Sequence, residues 1–307
     1  MSKLDYIWIH SQVLPLSIIR SLNKKLPKNI AKFIFLHMSG LDSVPDEKPY
    51  IYLLEEKLSS LSLFISDETK KKIVKLLNKN MNFSFFKNPA PVELCQTSYK
   101  INKKINKILV VSNHPPDELL EACKILSFQK ISTTFFGEKG DRYEIITKDI
   151  LSQYDVIITI GKTVQYCLVM GIPVYIYDHF GGSGYLNNQN FTKAMKSNFS
   201  GRENQKHNAD FIAKDIINRF NESIIWTQTN HQEMIKKFSI KEVLPPILNK
   251  VKQKKLKPFD KKYTEMLINT QIFAQNRFVV GGYNWIESRK NESLNKENKE
   301  LELSLNK

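Results

Sequence analysis

The chain has 307 residues, more than a single hydrophobic core usually organises, so two compact domains are expected. Hydrophobic residues make up 41% and charged residues 25% of the sequence, a globular balance that excludes wholesale disorder. The formal net charge of +15 suits a nucleic acid, an anionic membrane face or an acidic substrate, and is equally explained by a solvated surface rich in lysine.

Strands alternate with helices along the N-terminal third of the chain. Three apolar runs, each followed by polar residues, are predicted strands at 5–11, 32–39 and 59–66. Helical patterns lie between and after them, at 12–25, 47–58 and 67–79. This alternation predicts a parallel α/β sheet. His10 and His37 stand at the ends of the first two predicted strands.

A second α/β series begins at residue 107, after a proline-containing segment and a polar, basic linker (96–107). Its predicted strands are 107–113, 132–137, 155–160 and 173–178, and its predicted helices lie near 115–126, 147–154 and 162–170. The sequence therefore predicts one domain over 1–100 and a second over 101–250. Residues 251–307 are predicted to be a basic helical extension that ends in a frayed helix or a disordered tail.

The sequence carries no pattern for a metal, a disulfide framework or a membrane span. Its three cysteines are far apart without CxxC spacing, which indicates a reducing compartment, and its six histidines do not cluster at metal-ligand spacing. No run of about 18 uncharged apolar residues occurs, and the N-terminal segment lacks a signal-peptide core. We expect a cytoplasmic protein.

Polar and glycine residues follow three strands of the second domain, and ligands of parallel α/β sheets gather at such carboxyl ends. Glycine lets the backbone approach a ligand, and a lysine at a helix N-terminus favours a phosphate or diphosphate. Helix capping or a turn explains each residue taken singly, but three such strand ends together favour a ligand site. The predicted site residues are Ser112 and Asn113; Gly161, Lys162, Thr163 and Gln165; and Asp178, His179, Gly181 and Gly182.

The segment ITKDILSQYDVIITIGKTVQYCLVMGIPVYIYD (146–178) resembles the donor domain of GT-B glycosyltransferases, which have two Rossmann-like domains facing each other across a cleft. SLSLFISDETKKKI (60–73) is similar to the last part of their acceptor domain. SNHPPDELLEACKIL (112–126) together with GKTVQYCLVMGIPVYIYDHFGG (161–182) resembles bacterial glycosyltransferases of capsule and surface-polysaccharide loci. The resemblance spans roughly residues 5–225. It implies an α/β fold of the GT-B type with a short N-terminal domain.

The resemblance also implies a nucleotide-sugar donor and no bound metal or other cofactor. The loop at 161–165 would hold the diphosphate and ribose, the segment 143–146 would face the base, and the loop at 178–185 would face the sugar. Ser112 and Asn113 would line the cleft. The catalytic base would stand at a strand end of the acceptor domain, which points to His37 first and His10 second, with Asp42 and Glu93 as weaker candidates; a packing role explains each histidine equally well.

Two departures from the family pattern stand out. Gln165 and Tyr166 occupy the place of a glutamate found in many retaining members, and no glutamate lies between 145 and 202. The N-terminal domain has three or four predicted strands, fewer than a full acceptor domain.

The predicted function is transfer of a sugar to a glycan or lipid-linked acceptor in bacterial lipopolysaccharide or capsule synthesis. A peripheral position on the anionic inner face of the cytoplasmic membrane is a further hypothesis. The alternatives are a nucleotide-sugar epimerase on the same scaffold and a non-catalytic partner subunit. Nucleic-acid binding is not predicted, since no recognised binding motif appears.

Overall fold

The computed structural model describes residues 4–10, 14–24, 30–39, 52–78, 80–95, 102–202, 204–254 and 256–305. The strands are β1 (Tyr6–Ile9), β2 (Lys32–His37), β3 (Ser59–Phe64), β4 (Phe83–Phe85), β5 (Lys107–Val111), β6 (Ser132–Phe136), β7 (Val156–Thr159), β8 (Val174–Asp178) and β9 (Gly181–Tyr185). They form a four-stranded sheet in the order β1-β2-β3-β4 and a five-stranded sheet in the order β6-β5-β7-β8-β9. The α/β class predicted from the alternating pattern is confirmed.

Helices follow most of the strands. They are α1 (Leu16–Ser21), α2 (Tyr52–Leu58), α3 (Asp67–Ile73), α4 (Val92–Cys95), α5 (Asp117–Phe128), α6 (Lys148–Leu151), α7 (Lys162–Met170), α8 (Phe191–Lys196), α9 (Ala209–Asn218), α10 (Phe220–Phe238), α11 (Ile240–Lys250) and α12 (Lys261–Leu305). A short 3₁₀ turn, Val74–Leu76, follows α3.

The chain divides into two compact units, each built from separate stretches of sequence. The first consists of Met1–Ser62, Ile73–Asn82 and Lys252–Lys307, and the second of Leu63–Lys72 and Phe83–Val251. The C-terminal extension predicted as a separate region therefore groups with the N-terminal residues. The chain passes from one unit to the other several times. The sequence instead predicts domains that each occupy one continuous range of residues.

The core of the N-terminal unit explains this grouping. β1 and β2 pair in parallel, with Tyr6 opposite Lys32. Phe33 and Phe35 of β2 pack in one apolar cluster with Phe259 and Leu267, which belong to the C-terminal stretch. Burial of these side chains ties the C-terminal segment to the N-terminal unit, because removing apolar surface from water is the main driving force for packing.

The sheet of the second unit is covered on both faces, as a parallel sheet requires. Along β5, Ile108 and Val110 belong to one apolar cluster and Leu109 to another. This alternation follows from the two-residue period of a strand, in which successive side chains point to opposite faces. β5 pairs in parallel with both β6 and β7, β7 pairs in parallel with β8, and β9 is an antiparallel edge strand.

The C-terminal helix is longer than the sequence pattern predicts. α12 runs from Lys261 to Leu305 without a break, whereas the sequence predicts a helical extension over 251–307 that ends in a frayed helix or a disordered tail. The segment beyond residue 283 is rich in Lys, Glu and Leu and contains no proline, a composition that is intrinsically favourable to a helix. The low content of apolar residues is therefore compatible with a continuous helix.

Candidate functional site

The order of the strands in the second unit creates a crevice between β5 and β7. The chain passes from β5 to β6 on one side and then returns to form β7 on the other. α5 after β5 packs on one face of the sheet through Leu119 and Ala122, and α7 after β7 packs on the opposite face through Val164 and Leu168. Two helices that leave neighbouring strands on opposite faces leave open the carboxyl edge between them. A cavity of about 350 Å³ lies at this edge.

The walls of this cavity, called the switch-point cavity below, come from the ends of four strands. Predicted site residues in its lining are Ser112, Asn113, Thr163, Asp178 and His179. The predicted segment 143–146 also contributes, through Tyr143, Glu144 and Ile146. Residues that the sequence reasoning did not single out complete the lining: Val111, His114, Phe136, Gly137, Thr159 and Ile160.

Asp178, at the end of β8, fixes two of the polar side chains of the cavity. Its Oδ1 accepts hydrogen bonds from Ser112 Oγ at 3.0 Å and from the backbone N–H of His179 at 2.8 Å. The same oxygen lies 3.3 Å from His179 Nδ1. Asp178 is 4% exposed, and a buried carboxylate requires such partners. The imidazole of His179 is 45% exposed and is thus accessible to a ligand while its orientation is held by the carboxylate.

Gly137, after β6, brings two loops of the cavity together. A β-carbon added there would lie 2.0 Å from the carbonyl oxygen of Ser112, and the backbone has φ +147°, which disfavours other residues. The side chain of Asn113 reinforces this contact by accepting a hydrogen bond from the backbone N–H of Glu138 at 3.3 Å. In the sequence this glycine directly follows STTFF (132–136), and it was interpreted only as the end of that strand.

Gly161, directly before the N-terminus of α7, borders space that no described residue fills. This residue has φ +65°, and a β-carbon added to it would meet no heavy atom of the described residues within 4 Å. Its backbone N–H donates to the carbonyl of Phe199 at 3.1 Å, so this N–H is already used within the protein. Lys162 is exposed, with its ammonium 5.5 Å from the centre of the Tyr166 ring. Neither Gly161 nor Lys162 belongs to the cavity lining, although the next residue, Thr163, does.

Gln165 faces the protein interior, not the cavity. It is 1% exposed, and its side-chain amide contacts that of Asn198 at 3.1 Å. With the amide in its alternative orientation, it donates to the carbonyl of Lys162 at 2.9 Å. This predicted donor-binding residue therefore lies where it supports the first turn of α7.

The predicted ligand loop at 178–185 is instead a tight turn followed by a strand. β9 begins at Gly181 and pairs with β8 in antiparallel orientation. A β-carbon on Gly182 would lie 1.8 Å from the carbonyl oxygen of Ile176, and one on Gly181 would lie 2.5 Å from that of Gln205. These glycines permit close backbone packing, and in this segment only Asp178 and His179 line the cavity.

The predicted catalytic histidines of the N-terminal unit have contrasting surroundings. His37 is 1% exposed, and its Nε2 lies 2.9 Å from Glu55 Oε1, which also accepts a hydrogen bond from Ser62 Oγ at 2.6 Å. This burial favours a packing role for His37. His10 is exposed, as is Glu93 in α4, and Asp42 lies outside the described residues.

The acidic residue directly before β7 has a structural role. Asp155 is 4% exposed and accepts hydrogen bonds from the backbone N–H groups of Asn106 and Lys107 at 2.7 and 2.8 Å. Its carboxylate therefore holds the start of β5 against β7, at the edge of the sheet opposite to the switch-point cavity.

Potential metal ligands do not cluster in the described parts of the chain, and two of the three cysteines are buried. No group of three or more His, Cys, Asp or Glu side chains there is placed to hold a metal ion. Burial raises the pKa of Cys123 to about 12 and that of Cys167 well above its ordinary value, so both thiols are protonated at neutral pH. The described helices include none with the length and apolar character needed to cross a membrane.

Comparison with known proteins gives no family for this chain. No model of a known protein family matches it, and a search of curated proteins finds no similar sequence.

Proposed function

We propose that the protein is a glycosyltransferase of the GT-B type, which binds a nucleotide-sugar in the switch-point cavity and transfers the sugar to a glycan or lipid-linked acceptor. The observation that carries this proposal is the place of the cavity, at the carboxyl edge of a parallel sheet where the strand order reverses. Ligands of open α/β sheets bind at this position. The volume of about 350 Å³ is in the range of small-molecule sites.

Each part of a nucleotide-sugar matches a part of the cavity lining or the adjoining N-terminus of α7. The open space in front of Gly161 at the N-terminus of α7 suits the diphosphate, because the helix dipole and the hydroxyl of Thr163 favour negative charge there. The partly apolar segment with Tyr143 and Ile146 suits the base. The Asp178–His179 pair suits the sugar, whose hydroxyl groups are hydrogen-bonding partners for a carboxylate and an imidazole.

The residue that we assign to proton transfer is His179 instead of His37. A general base needs access to the reacting group and is often oriented by a neighbouring carboxylate. His179 has both properties, since its ring is 45% exposed and lies against Asp178. The N-terminal unit would receive the acceptor, in the two-domain arrangement that the GT-B resemblance implies.

A non-catalytic nucleotide-sugar-binding subunit is the second candidate. The observation that favours it is the burial of His37 against Glu55, which leaves the N-terminal unit without its first-choice base. Such a subunit would bind the same nucleotide in the same cavity but would never turn over a nucleotide-sugar.

Nucleotide binding is tested by a thermal-shift screen with UDP, GDP, CMP, ADP and their sugar conjugates. A ligand at about 100 times its dissociation constant adds about 2.7 kcal/mol to the free energy of unfolding. We expect Lys162→Ala and Thr163→Val to reduce the shift. Their matched controls, Lys148→Ala at the first residue of α6 and Thr192→Val on the surface of α8, should leave it unchanged. Absence of a shift with every nucleotide would refute the proposal.

Turnover separates the two candidates. His179→Gln should retain nucleotide binding and lower the rate of sugar release or transfer at least about 100-fold, a usual contribution of a general base. A wild-type protein that binds a nucleotide-sugar and shows no turnover with any acceptor mixture would instead favour the non-catalytic subunit.

A further inference from the structure

A second cavity, of about 380 Å³, lies in the N-terminal unit. Its walls are the C-terminal end of α2 and the segment that leads into α12. We propose that this cavity, called the lysine cavity below, binds the phosphate group of a ligand. The polar residues of its lining are Glu56, Lys57, Lys254, Lys257, Asp260 and Tyr263.

Cations dominate the lysine cavity. Three lysines, Lys57, Lys254 and Lys257, line it beside two acidic residues, Glu56 and Asp260. One of these carboxylates is engaged within the protein, because Asp260 Oδ1 accepts a hydrogen bond from the backbone N–H of Tyr263 at 2.8 Å as it caps α12. The field inside the cavity therefore favours an anion.

Lys254 is the cation with the most to gain from an anionic ligand. It is partly buried, and its ammonium donates a hydrogen bond to the backbone carbonyl of Glu56 at 2.6 Å. Burial lowers the pKa of Lys254 below the ordinary 10.5 and outweighs the opposing effect of the Glu56 carboxylate. An anion in the cavity would compensate the loss of hydration that burial imposes on this ammonium.

Tyr263 gives an independent indication of a missing partner. Its hydroxyl is buried and has no hydrogen-bond partner among the described residues. Burial, with the nearby Glu56 and Asp260, raises the pKa of Tyr263 to about 12, so this hydroxyl is a proton donor at neutral pH. A buried donor without an acceptor destabilises a protein, and a ligand oxygen would satisfy it.

A phosphate group matches these donors better than a single carboxylate does. Its several oxygens can accept from more than one ammonium and from a hydroxyl at once, and lysine binds phosphate as a point charge. The group can belong to a soluble phosphorylated compound or to the headgroup of a lipid, and the experiment below separates these sources.

The test measures binding of inorganic phosphate and pyrophosphate to the full-length chain by titration calorimetry at low salt. We expect Lys254→Gln and Tyr263→Phe each to weaken binding about tenfold, the effect of losing one hydrogen bond to a charged group. Lys262→Gln removes an exposed lysine on the first turn of α12 outside the lining and should bind as the wild type does. An equal loss in Lys262→Gln would show nonspecific attraction and overturn the proposal.

The donor site proposed above can also bind pyrophosphate, and Lys162→Ala separates the two sites. The pyrophosphate site that Lys254→Gln weakens should bind pyrophosphate with unchanged affinity in Lys162→Ala. The test of the lysine cavity is therefore independent of the test of the nucleotide proposal. If neither phosphate nor pyrophosphate binds in a manner sensitive to Lys254→Gln, the proposal is wrong.

Tyr263→Phe supplies a second criterion that does not depend on activity. Because the hydroxyl lacks a partner, the ligand-free variant should be at least as stable as the wild type in thermal unfolding, while its stabilisation by pyrophosphate is reduced. A lower stability of the ligand-free variant would show that the hydroxyl is already satisfied and would contradict the inference.

Vesicle flotation then identifies the source of the phosphate. Binding to phosphatidylcholine vesicles that contain phosphatidic acid, lost in Lys254→Gln and absent with phosphatidylcholine alone, would assign a lipid headgroup. Binding of pyrophosphate without vesicle binding would assign a soluble phosphorylated ligand.

Discussion

Gly161→Ala tests the assignment of the α7 N-terminus to a phosphate. The added methyl group would project into space that contains no heavy atom of the described residues within 4 Å, so it causes no clash in the ligand-free protein. The cost to stability comes from the backbone, because φ +65° is a conformation that L-residues rarely adopt. Residues held in such regions cost about 1–3 kcal/mol each. We expect the variant to fold with a free energy of unfolding reduced by that amount.

Gly161→Ala should also weaken nucleotide binding, although it causes no clash in the ligand-free protein. If a diphosphate lies in the open space, the methyl group displaces it, and we expect the affinity for the preferred nucleotide to fall at least about tenfold. At a ligand concentration of about 100 times the wild-type dissociation constant, stabilisation by the nucleotide should then fall from about 2.7 to about 1.4 kcal/mol. Denaturant unfolding with and without nucleotide measures both quantities.

Gly171→Ala, at the opposite end of the same helix, is the matched control. Gly171 also has a positive φ, +74°, and a β-carbon there would lie 3.3 Å from the ring of His231. Strain of about 1–2 kcal/mol is expected, without a change in nucleotide affinity. A Gly161→Ala protein that binds nucleotide as tightly as the wild type would refute the assignment of the phosphate to this helix N-terminus.

Three further predictions concern the second unit. Asp155→Ala should lower the free energy of unfolding by about 3 kcal/mol, since it orphans two backbone N–H groups at the start of β5, whereas Asp149→Ala on the exposed side of α6 should change it little; urea unfolding compares them. Gly182→Ala should prevent the pairing of β9 with β8, because its β-carbon would lie 1.8 Å from a backbone carbonyl oxygen, and a wild-type melting temperature would contradict this. Burial, with the nearby Asp215 carboxylate, raises the pKa values of Tyr175 and Tyr185 well above 10, so their contribution to stability is complete below pH 10 and is lost as the pH rises above it. Absorbance of tyrosinate should appear for these residues only on unfolding.

The strands of the second unit could be predicted closely from the sequence. The predicted strands at 107–113 and 155–160 correspond to β5 (Lys107–Val111) and β7 (Val156–Thr159). These strands are continuous apolar runs because both faces of the sheet are covered, so burial leaves a strong local signal. The polar ends of β5, β7 and β8 could be predicted for the same reason, since each polar cluster directly follows an apolar run.

β9 was missed because its sequence, GGSGY, has no strand pattern of its own. Its pairing depends on how closely β8 can approach, and glycine is the residue that allows this approach. Gln165 was misplaced for a related reason. A polar residue on the first turn of a helix can face a ligand or the interior, and only the packing of Asn198 against it decides which.

The sequence by itself determined the α/β class and the set of strand ends at which a ligand can bind, because periodicity and apolar runs are local properties of the chain. The tertiary structure decided which strands are neighbours, and hence that Ser112 meets Asp178 across 66 residues of sequence. It also decided that Lys57 and Tyr263 line one cavity. Contacts between residues far apart in the sequence depend on the packing of whole elements, and no local pattern specifies them.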